Sequence, residues 1–134
     1  MSDENTGIYR EILLEYYKNP RNFHEMKDSD IHKFDSNPTC GDEVEVFIKL
    51  KDKKEKDPTI EKLSFKGKGC VICMATTSML MEELEGKKLL EIKSMDDKTI
   101  TQMLDIKLTP TRLKCAMLSL VAIKKGIFEF ESKK

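Results

Sequence analysis

The chain has no net charge with which to hold a polyanion. Its 24 basic and 24 acidic residues cancel across 134 positions, which excludes the basic footprint of a nucleic-acid-binding domain. Arginine is scarce, present only at Arg10, Arg21 and Arg112. A lysine surface is a solvated one, whereas bidentate phosphate recognition favours arginine. No apolar run approaches the roughly 20 residues needed to cross a bilayer. The polar start MSDENTG lacks the apolar core of a signal peptide. The sequence therefore reads as a cytoplasmic protein with neither nucleic acid nor membrane as a partner. Internal repeats, low-complexity segments and a second domain are also absent, so residues 1–134 read as a single domain with one core.

Cysteine is sparse but unevenly placed, at positions 40, 70, 73 and 115. In a reducing compartment structural disulfides are rare, and such residues more often bind metal or handle sulfur. Their dispersal excludes a zinc finger or ribbon, so any site they form is assembled by tertiary structure.

Apolar residues at 8, 9, 12, 13 and 16 mark an amphipathic helix over Ile8–Lys18, with Asn5 or Thr6 as its cap and Asn19-Pro20 as its stop. Ile31–Asp35 is a weak strand. Glu43–Leu50 alternates Val44, Val46, Ile48 and Leu50 with Glu45, Phe47 and Lys49, the pattern of a half-buried strand. KDKKEKDP at 51–58 is a solvated hairpin tip, and Thr59–Lys66 is the returning strand. Val71–Glu85 reads as a helix ended by Gly86, followed by short helices near 88–93 and 97–105. A last helix starts at Thr109-Pro110, is apolar nearly all round, and is expected to end before Gly126. Strands early and helices late give an α+β fold: an antiparallel sheet with helices on one face, plus an amino-terminal helix.

The cysteines fall at the element boundaries. Cys40 lies in NPTCGD, where Gly41 separates it from Asp42. That spacing suits a thiolate and a carboxylate turned toward one point, with metal ligation favoured over core filler. Cys70 follows GKG at a strand-to-helix junction, where unpaired helix N–H groups would stabilise a thiolate. Cys115 lies early in the last helix beside Lys114, whose charge would do the same. For Cys70 and Cys115 taken alone, ligand and filler remain equally open readings. Cys73 forms C-V-I-C with Cys70, but no parallel βαβ unit supports a thioredoxin-like pair, and packing is the favoured reading. His24 and His32 fall in polar stretches and read as solvated.

Four segments, YKNPRN at 17–22, NPTCGD at 37–42, GKGCVICMATTSML at 67–80 and RLKCAML at 112–118, resemble the U-type iron–sulfur cluster assembly proteins, the IscU, SufU and NifU amino-terminal group. The resemblance implies a three-stranded antiparallel sheet with helices. It also implies that Cys40, Asp42, Cys70 and Cys115 hold a [2Fe–2S] cluster or Zn²⁺, and that Cys40 or Cys115 accepts persulfide sulfur. The implied partners are a pyridoxal-phosphate cysteine desulfurase and apo iron–sulfur proteins. Such a chain is a scaffold or sulfur acceptor rather than an independent enzyme.

Two features depart from IscU. Lys114 stands where IscU carries a histidine, as in SufU, and a protonated lysine cannot ligate. The spacing of Cys70 to Cys115 is short, as in IscU. LTPTR at 108–112 keeps only Leu108 and Pro110 of the family's chaperone-recognition segment, which weighs against a dedicated Hsp70-type chaperone. The alternatives are a labile-cluster scaffold, a zinc-bound sulfur acceptor that never holds a cluster, and a zinc-stabilised interaction domain without sulfur chemistry.

Overall fold

The structure, a computed structural model, describes residues 3–133, with side chains from residue 10 onward. Its elements run α1 (Asp3–Lys18), β1 (Ile31–Asn37), β2 (Asp42–Lys51), β3 (Thr59–Lys68), α2 (Val71–Leu84), α3 (Leu89–Lys93), α4 (Asp97–Leu104) and α5 (Pro110–Ser132). The three strands form one antiparallel sheet in the order β1-β2-β3. The architecture is the expected α+β arrangement, with each of the three strands longer than its hydrophobic pattern.

One face of the sheet is the core. Val44, Val46, Ile48 and Leu50 point into it from β2, opposite Phe65, Leu63 and Ile60 of β3 and Ile31 of β1. Helix α5 lies over β1 and β2, α2 lies over β3 and against α5, and α1 packs on α2. Fully burying a side chain such as Ile48 or Leu80 contributes about 1.5–3 kcal/mol, and the row of them fixes the register. On the opposite face Phe47 is buried beneath the His32 ring, stacked at a centroid separation of 4.5 Å. His32 sits on strand β1 rather than in a loop and contacts Glu45, yet it is exposed, as His24 is.

The YKNPRN segment ties α1 to the rest. The Arg21 N–H donates to Ser78 Oγ on α2 at 2.8 Å, and the Asn22 amide donates to Leu63 O at 3.0 Å. The Asn22 carbonyl accepts from Phe65 N–H at 3.0 Å. Arg21 also stacks over the Tyr16 ring, and Tyr16 donates to Glu82. Asn22 has φ 57°, a conformation that asparagine tolerates better than most residues.

Two helix boundaries differ from the sequence pattern. Helix α1 begins at Asp3, so Asn5 and Thr6 lie within its span rather than at its start. Helix α5 continues through Gly126 to Ser132. A β-carbon on Gly126 would stand 2.7 Å from Ile31 Cγ2, so the glycine marks close approach of α5 to β1 rather than a stop. Gly86, by contrast, takes φ 84° just past α2, and its N–H donates to Ile60 O at 3.0 Å. No helix among the described residues is long and apolar enough to cross a membrane.

Glycine to alanine inside a helix normally stabilises by up to about 1 kcal/mol. At Gly126 the sign reverses: Gly126→Ala is expected to destabilise by about 1–3 kcal/mol through overpacking. Urea unfolding measures it, and a variant at least as stable as the parent would contradict the contact with Ile31.

Candidate metal centre

The turn from Pro38 to Gly41 brings the first two site residues together. The Asn37 carbonyl accepts from the N–H groups of Cys40 and Gly41 at 3.1 and 2.9 Å. Gly41 takes φ 74°, with open space where a β-carbon would be. Its lack of a side chain therefore serves the backbone conformation and not packing. The chain then enters β2 with Asp42 facing inward, only 1% exposed.

Asp42 is held from the neighbouring strand end. The Cys70 N–H donates to Asp42 Oδ1 at 2.9 Å, and Cys70 Sγ lies 3.8 Å from Oδ2. Cys70 is the amino cap of α2, and its sulfur accepts from the Cys73 N–H at 3.4 Å. Gly69 permits this approach, because a β-carbon there would sit 2.5 Å from Asp42 Oδ1. From above, α5 lowers Cys115 onto the site. Its Sγ lies 3.5 Å from Cys40 Sγ, and Thr109 fixes the start of that helix by accepting from Arg112 N–H.

Ligand atoms of Cys40, Asp42 and Cys115 all lie within 4.8 Å of one another. Cys70 stands beside this trio through its contacts with Asp42. The four residues that the sequence resemblance named thus meet at one end of the sheet. Lys114 is exposed. Cys73 is fully buried in the core, and burial, reinforced by the charge of Asp42, pushes its thiol up to about 12. Burial also raises the Cys115 thiol well above its ordinary range, helped by hydrogen bonds with Asp42, Cys40 and Cys70.

The donor set fits a cation. A carboxylate this buried is normally paired or metal-bound, and Asp42 has no cationic partner among the described residues. Three sulfurs and one oxygen make a sound tetrahedral set for Zn²⁺ and suit the iron of an iron–sulfur cluster.

Residues 8–134 match the family described as NifU-like N terminal domain. The chain belongs to that family. Among curated relatives of this NifU-like chain, the zinc-dependent sulfurtransferase SufU of Bacillus subtilis is 32% identical, over 92% of each chain. The iron–sulfur cluster assembly scaffold protein IscU of Buchnera aphidicola is also 32% identical, over 94% of this chain and 97% of its own. A nitrogen-fixing NifU-like amino-terminal structure from Brucella abortus superposes with a TM-score of 0.73 at 18% identity, covering 95% of this chain and 96% of that one. That likeness is one of fold.

Two residues of the NifU-like site carried no role in the sequence reading. Asn37 positions Cys40 through its carbonyl, and its side-chain amide lies 3.6 Å from Cys40 Sγ. Gly69 admits the Asp42 carboxylate. Both fall inside the motifs quoted above; Gly69 meets Asp42 from another strand end, Asn37 acts within its own turn, and neither contact has a signal in residue spacing.

Exposure orders the thiols. With metal removed, a thiolate-directed alkylating agent is expected to modify exposed Cys40 first and Cys73 last, at least ~100-fold more slowly given burial and a suppressed thiolate. Peptide mass spectrometry of a time course measures this. Equal rates at Cys73 and Cys40 in the folded protein would contradict the packed assignment.

Proposed function

We propose that this chain is a cytoplasmic sulfur acceptor and iron–sulfur scaffold acting as one domain. It takes sulfur from a pyridoxal-phosphate cysteine desulfurase, assembles a labile [2Fe–2S] cluster as cargo on Cys40, Asp42, Cys70 and Cys115, and passes it to apo-proteins. The observation that carries this reading is the mixed donor set: a buried carboxylate set among three thiols, one of them exposed. A fourth thiolate would hold a cluster as firmly as a ferredoxin does. A harder oxygen donor leaves one position weaker, which is what a releasing scaffold requires.

Cys40 is the acceptor in this proposal. As a thiolate it attacks the outer sulfur of the desulfurase persulfide. The donor's S–S bond breaks, a new S–S bond forms on Cys40, and the donor cysteine leaves as thiolate. The Cys40 proton is released beforehand, and no net oxidation occurs. Attack requires both thiolate character and access. Cys40 is exposed whereas Cys115 is 2% exposed, and the Asn37 amide donates toward the Cys40 sulfur. Lys114, beside Cys115 in sequence, would offset part of the burial that raises that thiol, which leaves Cys115 the secondary acceptor.

A zinc-bound acceptor that never holds a cluster is the second reading. The similarity to a relative named a zinc-dependent sulfurtransferase favours it, as does lysine at position 114. Bound zinc would supply charge stabilisation for the thiolates, with the same four residues as its ligands.

Metal and acid-labile sulfide analysis of anaerobically purified protein separates the two readings, since sulfide accompanies only a cluster. Incubation with a desulfurase and cysteine is expected to place persulfide on Cys40, located by peptide mass spectrometry. Sulfur on Cys115 alone would overturn the exposure argument, and sulfur on neither would leave a bare metal-stabilised module.

Asp42→Ala is expected to slow cluster transfer to an apo-ferredoxin by about tenfold, because the weaker ligand that opens the cluster's edge is gone. Transfer as fast as in the parent would refute the lability argument.

A further inference from the structure

Beside Cys70, a groove of about 830 Å³ opens between α1, the start of α2 and the segment leading into α5. Its walls are apolar: Leu14, Tyr17, Val71, Ile72, Ile106 and Leu108. Gly69 and Cys70 form part of the same wall and Cys40 does not line it, so the groove borders the metal centre at Cys70.

The charges around it are of one sign. Arg10, Lys107 and Arg112 line the groove, and no carboxylate does among the described residues. Two of the chain's three arginines are therefore gathered here. None of the three cations has an ion-pair partner among the described residues, although nine pairs form elsewhere, including Lys33–Glu129, Lys93–Glu131 and Lys125–Asp35. On a chain with zero net charge this clustering is not a consequence of composition. All three side chains are exposed, so they are available to a carboxylate without first breaking an internal contact.

We propose that this groove docks a peptide segment of a protein partner in which apolar side chains are interspersed with carboxylates. The apolar residues enter between α1 and α2, and the carboxylates meet Arg10, Lys107 and Arg112 at the rim. Arginine supports this role, because its planar fork pairs with a carboxylate bidentately. The bound segment lies against Gly69 and Cys70 and leaves the exposed Cys40 turn free. A partner held here stays docked while a second one works at Cys40.

The test uses the full chain as purified. Its probe is a fluorescein-labelled peptide of about ten residues, ~33 Å when extended, built from leucine, phenylalanine and glutamate with one benzophenone side chain. Saturable binding by anisotropy is expected. Binding should weaken at least tenfold when lysine replaces glutamate in the peptide, or serine replaces its apolar residues. The double variant Lys107→Glu/Arg112→Glu, both exposed and remote from the core, should lose at least tenfold with an unchanged thermal melt. Photocrosslinks should map to residues 10–17, 69–72 and 106–112. Equal binding of the serine-substituted peptide would reduce the groove to a charge patch and overturn the proposal. So would crosslinks elsewhere, an unaffected double variant, or sedimentation showing a second copy of the chain seated in the groove. Because the readout requires neither sulfur transfer nor a particular metal, its failure leaves the sulfur-handling reading intact, and the converse also holds.

Discussion

The structure of the site depends on one buried carboxylate. Asp42 sits at the first position of β2 facing inward, where it accepts from the Cys70 N–H at the mouth of α2. A carboxylate withdrawn from water needs donors or a cation. The backbone around it has adapted to that need on both sides. Gly41 turns the chain so that Asp42 follows Cys40 into the sheet, and Gly69 withholds a side chain that would strike the carboxylate. Ordering both glycines has a conformational cost, which makes them poor choices except where geometry demands them.

The core holds this arrangement in place. The β1–β2 and β2–β3 pairings set Asn37 opposite Asp42 and Glu43 opposite Lys68, so the turn carrying Cys40 and the strand end carrying Cys70 share one edge. Helix α5 is drawn down by its apolar stripe and by the close contact at Gly126, and this contact brings Cys115 to the Cys40 sulfur. The site is therefore rigid at Asp42 and Cys115 and open at Cys40. Such an asymmetry suits a chain that must both hold and hand over its cargo.

Burial also divides the thiols chemically. Cys73, one turn into α2, is packed, and burial raises its thiol, which disfavours a thiolate there although it is only three residues from Cys70. The C-V-I-C spacing alone could not distinguish this from a redox pair, because that reading depends on what surrounds the second sulfur.

Much was legible in the sequence. The alternation of Val44 to Leu50 determined the central strand, since a period of two buries only one face. The cysteines at element boundaries, with the resemblance carried by NPTCGD and RLKCAML, named the four residues that meet. Local signals failed where a residue served a distant neighbour. Gly126 looked like a helix end because the strand it packs against lies about 95 positions earlier in the chain. His32 looked like a loop residue because the Phe47 it stacks on and the Glu45 beside it belong to another strand. Gly69 carried no sign of its role beside Asp42, and the cation-rimmed groove draws on three separate segments. The sequence by itself determined the elements, the core face and the donor types, because each depends on periodicity or residue chemistry. Only the tertiary structure decided the distances between sulfurs, which of them water reaches, and where backbone must stay bare, because these depend on pairs of residues far apart in the chain.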